Sequence, residues 1–188
     1  MIEIKSLSSI TDCGALSGGI PRIFIFPLVE LTAVTTTTDV NGVTRITGLT
    51  MANVGKIVKW TPARDNAVQF VQTGNRSDQD RLTYSREGTL VFRGYSSEQS
   101  HIADLAAKFC EVVVIYVMKS GERVVQGIEL DASAVGGFVA DSNQSARVVP
   151  VATTGTNDGI PQITFTISSN GDSLAPFTTL TDSALLAL

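Results

Sequence analysis

The sequence contains few of the side chains on which enzymes and metal sites depend. Its 188 residues include one histidine, His101, and two cysteines, Cys13 and Cys110. Neither cysteine has a second ligand at metal-binding spacing. No Ser/His/Asp or Cys/His set can be assembled without His101, which falls beside the apolar stripe of a predicted helix and is expected at the surface. The sequence therefore predicts a protein that is not an enzyme and that binds no cofactor and no metal.

Charged side chains are also scarce, at 17% against about 25% in typical soluble domains. A surface poor in charge is typical of one that meets other copies of the same chain. The net charge of −4 argues against general nucleic-acid binding. It is divided as −1 over residues 1–55, +3 over 56–93 and −6 over 94–188. These segments would attract one another between subunits stacked head to tail, although an ordinary uneven surface would give the same counts.

Long apolar runs are absent as well. No run approaches the ~20 residues needed to cross a bilayer, and Met1–Lys5 lacks the basic region and apolar core of a signal peptide. Two isolated cysteines fit a reducing compartment better than a disulfide framework. We therefore expect no membrane association, and a protein that is made in the cytoplasm and stays there or leaves by lysis.

The abundant residues are Val, Ile, Leu, Ala and Thr, a composition that favours strands. Thr89–Phe92 is a short apolar run that predicts one strand. Val112–Val117 is β-branched without polar alternation, which predicts a strand buried on both faces. Lys119–Glu122 then makes a turn, and Arg123–Ile128 returns as a partner strand.

A helix is predicted over residues 97–109, between these strands. Ser96 and Gln99 have the spacing of a capping box at its start. Asp104 and Lys108 are expected to face outward. The opposite face carries the apolar stripe Ile102, Leu105, Ala106 and Phe109.

A long hairpin over residues 31–51 is the clearest local pattern. Two Thr- and Val-rich arms flank Asn41-Gly42, the preferred centre of a two-residue hairpin turn. An isolated hairpin of this length is only marginally stable, so it must lie on its own sheet or on a neighbouring subunit. The apolar residues that need cover are Leu31, Ala33, Val34, Ile46 and Leu49.

Several polar stretches are candidates for binding or chemistry. The loop Gly74–Arg81 carries mixed charge and is expected to be solvated, although a basic loop is also a candidate nucleic-acid contact. Glu129 and Asp131 suggest paired carboxylates, but we expect them to mark a solvated strand end. The apolar end Ala184–Leu188 should not remain in water, and it is expected to dock on this subunit or the next.

These patterns predict a mainly β (α+β) protein with one flanking helix. Its order of elements resembles the core of tail tube proteins of tailed bacteriophages, especially tube-like proteins of phages of Bacteroidetes. The resemblance covers about residues 10–170 and rests on the strand Gly88–Phe92, the helix, the Val-rich strand, the Lys-Ser-Gly-Glu turn and the strand ending at Gly127. The opening Ile10–Cys13 with Gly18-Gly19 adds to it.

The resemblance implies a β-sandwich or barrel fold that is shared with the inner tubes of contractile tails and of type VI secretion. It divides the chain into an N-terminal arm (1–20), a tail-tube-like domain (21–170) and a C-terminal arm (171–188). In the family, hexameric rings stack into a tube through which DNA passes. It implies as partners other copies of the chain, other tail, neck or baseplate proteins, and genomic DNA that passes without specific binding. The location it implies is the virion tail.

The family's long hairpin contacts the adjacent ring, and residues 31–51 match it by position and type. The alternative is that both arms are ordinary strands of the parent sheet. The candidate contact residues between subunits, in the hairpin and at the apolar end of the chain, are Thr35, Thr36, Thr37, Asn41, Gly42, Arg45, Ile46, Leu49, Leu185, Leu186 and Leu188.

Two other functions remain open at this point. A tail terminator or connector would form the same class of ring but would stop at one ring instead of polymerising. A β-sandwich binding module, such as a lectin-like adhesin, would expose an aromatic patch. The single tryptophan, Trp60, supplies such a patch poorly.

Overall fold

The computed structural model describes residues 20–61, 68–76, 82–93, 104, 108, 111–140, 146–153 and 162–188. The described residues are mainly β, as predicted. The strands are β1 (Arg22–Pro27), β2 (Leu31–Thr38), β3 (Thr44–Met51), β4 (Val58–Trp60), β5 (Val68–Arg76), β6 (Leu82–Arg93), β7 (Val112–Val117), β8 (Arg123–Gln126), β9 (Ile128–Leu130), β10 (Phe138–Ala140), β11 (Arg147–Thr153), β12 (Gln162–Gly171) and β13 (Phe177–Thr178). A 3-10 turn, Leu28–Glu30, joins β1 to β2, and a short helix, α1, spans Asp182–Leu186.

The strands form three sheets. A seven-stranded sheet has the order β2-β3-β13-β8-β7-β1-β4, and a four-stranded sheet has the order β11-β12-β6-β5. The remaining pair, β9 and β10, is antiparallel. The pairings are antiparallel except that of β13 with β3, which is parallel.

The first core lies between the two larger sheets. Ile23, Val114 and Tyr116 of the seven-stranded sheet and Leu90 and Phe165 of the four-stranded sheet belong to one buried cluster. Its aromatic centre is Trp60, whose ring meets those of Phe92 and Phe165 at 5.4 Å. The two sheets therefore pack face to face, because each presents an apolar row to the other.

A second core covers the opposite face of the seven-stranded sheet. Phe24, Val113, Ile115 and Ile128 lie in it, together with Leu185 of α1. Strand β7 alternates between the two cores and is buried along its whole length, which confirms the prediction for Val112–Val117. Both faces of this sheet are thus covered at β1 and β7, and the described elements leave the outer face of the four-stranded sheet open.

Gly127 connects β8 of the seven-stranded sheet to β9, whose Ile128 packs in the second core. Its φ is +108°, a left-handed conformation that favours glycine. A Cβ at this position would collide with the backbone carbonyl of Val112. The chain can therefore bend sharply between β8 and β9 while staying close to β7.

The arm 1–20, apart from Ile20, and the helix 97–109, apart from Asp104 and Lys108, lie outside the described residues. These two side chains are exposed, as predicted, and form a 2.8 Å ion pair. The prediction of a loop from Gly74 was wrong, because β5 continues through Arg76 by pairing with β6. Residues 171–188 contribute β13 and α1 and pack on the sheet.

Candidate assembly surface

The tip of the predicted hairpin is a three-residue loop, Val40–Gly42. The N–H of Asp39 donates to the carbonyl of Val43, and the N–H of Gly42 donates to the carbonyl of Asp39, both at 3.0 Å. Gly42 has φ +80°. The prediction of a two-residue Asn-Gly turn was therefore wrong in loop length. The glycine nevertheless takes the left-handed position that three-residue hairpin loops require.

The side chain of Asp39 holds this tip together. Its Oδ1 accepts the backbone N–H of Asn41 at 2.8 Å and that of Val43 at 3.0 Å. Such Asx-type bonds satisfy the donors of a tight turn locally. The tip is consequently shaped by its own residues, although it is exposed to solvent.

The base of the hairpin belongs to the chain's own core. Leu31, Val34, Ile46 and Leu49 are buried in the second core. On the outer edge of β2, the N–H of Val34 donates to the carbonyl of Gly136 at 2.7 Å. At this end both arms are ordinary strands of the parent sheet, the alternative that the sequence left open.

The distal half of the hairpin is different, because its threonines are exposed. The hydroxyls of Thr38 and Thr44 lie 2.9 Å apart across the two strands, and those of Thr37 and Thr47 lie 3.4 Å apart. Residues 35–44 are exposed along their whole length. The hairpin therefore has a buried base and a solvated, threonine-rich end.

The candidate contact residues fall into two groups. Ile46, Leu49 and Leu185 are buried in the second core, where their contacts are with this chain. Leu188 is half-buried against the same core, and Arg45 is half-buried, 3.1 Å from Glu122 and over the ring of Phe177. The members exposed to solvent are Thr35, Thr36, Thr37, Asn41, Gly42 and Leu186.

The open face of the four-stranded sheet is a second candidate surface, which sequence reasoning did not assign. The strand registers place four side chains from β11, β12, β6 and β5 in each row across this face. One row is Val149, Thr166, Thr89 and Gln69; the next is Arg147, Ser168, Glu87 and Val71. These two rows carry one positive and one negative charge, so this part of the face is neutral overall, and it includes the hydroxyls of Thr166, Thr89 and Ser168.

The two edges of this sheet are strands β5 and β11. Val71 on β5 is 53% exposed, and Val149 and Val151 on β11 are 56% and 52% exposed. No described strand pairs with the outer edge of either strand. Pro150 lies in β11, a position typical of edge strands because proline donates no backbone hydrogen bond.

Comparisons with known proteins find no match. No family model, no curated protein and no solved structure matches the chain.

A polar network inside the protein was also missed by sequence reasoning. Arg86 is buried between the sheets with Nη2 3.2 Å from Oε1 of Glu129 and 2.6 Å from the carbonyl of Ser173. Nearby, the Tyr116 hydroxyl donates to Oε1 of Gln126 at 2.6 Å. The amide of Gln126 donates in turn to the carbonyls of Arg86 and Ile167 and to the hydroxyl of Ser169.

The prediction that Glu129 and Asp131 mark a solvated strand end was wrong for Glu129. This carboxylate is buried and also accepts the backbone N–H of Ser173 at 3.1 Å. Asp131 accepts the hydroxyl and N–H of Ser133, and these bonds lower the pKa of its carboxyl. Each carboxylate has its own local partners, an arrangement that serves structure better than acid–base chemistry.

The described residues contain no group of three or more His, Cys, Asp or Glu side chains that could hold a metal ion. In the described part of the chain, no helix is long and apolar enough to span a bilayer.

Proposed function

We propose that this protein is a structural virion protein whose rings stack into a phage tail tube, through which DNA passes. The observation that carries the proposal is the hairpin with a buried base and an exposed threonine-rich end. Because the base is held by the core, the distal half is presented already formed and loses little conformational freedom on docking. It is suited to contact the next ring.

The ring itself is proposed to form through the edges of the four-stranded sheet. Strand β11 of one copy would pair with β5 of the next, which removes two exposed edges per copy. The exposed valines Val71, Val149 and Val151 would then be covered at each junction. Such an interface joins two different surfaces of the subunit, so it closes into a ring when the rotation between copies allows it.

The open face of that sheet is proposed to line the channel. The central strands β1 and β7 of the seven-stranded sheet are covered on both faces by the chain's own cores, whereas the four-stranded sheet has an exposed face that can line a lumen. A nearly neutral, hydroxyl-rich lining suits DNA passage because each basic contact to a phosphate adds affinity through counterion release. DNA would slide along this face without specific binding.

The adhesin interpretation is disfavoured by the position of Trp60. Its ring is buried among Phe92 and Phe165, so it does not contribute to an exposed aromatic patch. Glycan binding would require such a patch elsewhere on the surface.

The experiment is electron microscopy of the purified protein and of a variant in which two glycines replace Thr36–Thr44. The deletion removes the exposed end and retains Val34, Ile46 and Leu49, so we expect a folded protein that forms rings but no long tubes. The control is Val135→Ser, which changes a fully exposed valine in another loop and should still form tubes. Long tubes from the deletion variant would contradict the role of the hairpin. Single rings from the unaltered protein would favour a terminator or connector.

A further inference from the structure

The hairpin is attached to its sheet through a two-residue strand from the end of the chain. Strand β13 lies between β3 and β8, parallel to the first and antiparallel to the second. Among the described strands, β3 pairs only with β2 and β13. Without β13, the β2–β3 hairpin would pair with no other described strand of the sheet.

Hydrogen bonds on both sides hold β13 in this position. The carbonyl of Ile46 on β3 accepts the N–H of Thr179 at 2.9 Å and the hydroxyl of Thr178 at 3.0 Å. On the other side, the N–H of Val125 on β8 donates to the carbonyl of Pro176 at 2.8 Å. The segment thus binds the hairpin and the body of the sheet at the same time.

Asp182 anchors the same segment to three strands of the sheet. Its carboxylate lies 2.5 Å from Nε of Arg22 on β1, 3.7 Å from Nζ of Lys59 on β4 and 3.2 Å from Nη2 of Arg123 on β8. Three cations converge on one carboxylate, so neutralising Asp182 would leave three positive charges facing one another. This repulsion would act directly against the docking of α1.

Apolar contacts complete the attachment. Leu185 of α1 is fully buried in the cluster that also contains Ile46 and Leu49 of the hairpin, and Leu180 and Leu188 pack against it. The carbonyl of Leu188 accepts the N–H of Gly55, just beyond the hairpin, at 3.1 Å. Residues 175–188 therefore touch the hairpin at its backbone, at its apolar base and at the connection that follows it.

We propose that residues 175–188 are a clasp that positions the β2–β3 hairpin, and that Asp182 is the residue that keeps the clasp closed. Opening the clasp frees the hairpin from the sheet while the core between the two large sheets stays folded. The remaining described attachments of the hairpin are its apolar base, the ion pair of Arg45 with Glu122 and the bonds of its neighbouring loops, including that between Val34 and Gly136. The consequence for assembly rests on the proposed function, whereas the coupling within one chain does not.

Hydrogen exchange of the unassembled protein tests whether the clasp and the β2–β3 hairpin open together. In Asp182→Asn we expect the amides of residues 44–51 and 177–181 to exchange about tenfold faster or more, with β7 and β12 unchanged, because local opening exposes only the elements it releases. Asp182→Glu keeps the charge and should exchange like the unaltered protein. Asp104→Asn removes the charge of an exposed aspartate paired with Lys108 and is the matched control. Unaltered exchange in Asp182→Asn, or equal acceleration in every strand, would overturn the clasp.

Assembly is the second measurement. If the unaltered protein forms tubes, Asp182→Asn should form rings that elongate at least tenfold more slowly, with recovery in Asp182→Glu. Equal elongation of both proteins would show that the clasp does not serve assembly. If the unaltered protein forms no tubes, the proposed function fails, and the exchange experiment still decides whether the clasp exists.

Discussion

At the scale of single residues, the protein places a polar network between its two large sheets. Arg86 is fully buried and meets Glu129 and the carbonyl of Ser173. Desolvating a buried charge pair is costly, so the pair contributes little stability compared with apolar side chains of similar size. Removing one partner, however, leaves the other charge buried and uncompensated. The network therefore makes the packing of the two sheets sensitive to single substitutions.

Arg86→Met should lower the free energy of unfolding by about 3–5 kcal/mol, because it leaves Glu129 buried without its cation. Urea unfolding followed by circular dichroism measures this loss. Lys108→Met, in the exposed pair with Asp104, should change stability by less than ~1 kcal/mol. Equal effects of the two substitutions would show that Arg86 is not needed to compensate Glu129.

Tyr116 makes stability depend on alkaline pH. Burial raises the pKa of its hydroxyl above the ordinary value, so the folded protein favours the neutral phenol, whereas the unfolded chain ionises near pH 10. The contribution of the neutral Tyr116 phenol to the free energy of unfolding is fully present below about pH 10. Above that pH the free energy of unfolding falls by up to about 1.4 kcal/mol per pH unit. Denaturant unfolding between pH 8 and 11 should show this decline.

Tyr116→Phe should remove most of that decline. At neutral pH it should cost about 1–3 kcal/mol, since Oε1 of Gln126 loses its donor. Tyr84→Phe is the control and should retain the alkaline decline of the unaltered protein. If Tyr116→Phe still loses stability as steeply, another group is responsible.

At the scale of elements, the lengths and exposure of the edge strands limit where another strand could pair with the sheets. The outer edge of β2 is partly occupied by the loop that contains Gly136, and β4 is only three residues long. Strands β5 and β11, of nine and seven residues, offer longer edges. A long edge with exposed β-branched side chains is a site for pairing with another strand.

The double substitution Val71→Lys and Val149→Lys should prevent ring formation and leave a folded monomer. It would bring like charges together at each junction, and like charges across paired strands are destabilising. Size-exclusion chromatography with light scattering measures the oligomer. Val29→Lys with Val54→Lys adds the same charge at exposed valines away from these edges and should still form rings. Rings from the Val71/Val149 variant would exclude these edges as the interface.

At the scale of the whole molecule, some charges of the basic segment 56–93 and the acidic segment 94–188 form ion pairs within the chain. Arg86 and Lys59 belong to the basic middle of the sequence, whereas their partners Glu129 and Asp182 belong to its acidic part. These contacts reduce the opposite charges that remain for attraction between copies. Electrostatic attraction between the proposed rings would therefore depend on the charges that stay exposed.

The length of assembled tubes should decrease as the salt concentration rises from about 50 to 500 mM, because the screening length of exposed charges falls well below ~10 Å over that range. Electron microscopy of tubes assembled at each concentration measures the effect. Rings should persist, since their proposed junctions are backbone and apolar contacts. Tube length that is independent of salt would assign the stacking contact to the hairpin's backbone and threonines.

The sequence by itself determined the local elements. The β-branched run at Val112–Val117 predicted a strand covered on both faces, and Asn41-Gly42 predicted where the hairpin reverses, because periodicity and turn chemistry act between neighbouring residues. Only the tertiary structure decided that β13 lies between β3 and β8, that Glu129 is buried with Arg86, and that Ile46 and Leu185 share one core. These arrangements join residues 43 or more positions apart. No local pattern encodes them, since their energy exists only once the sheets and the clasp have come together.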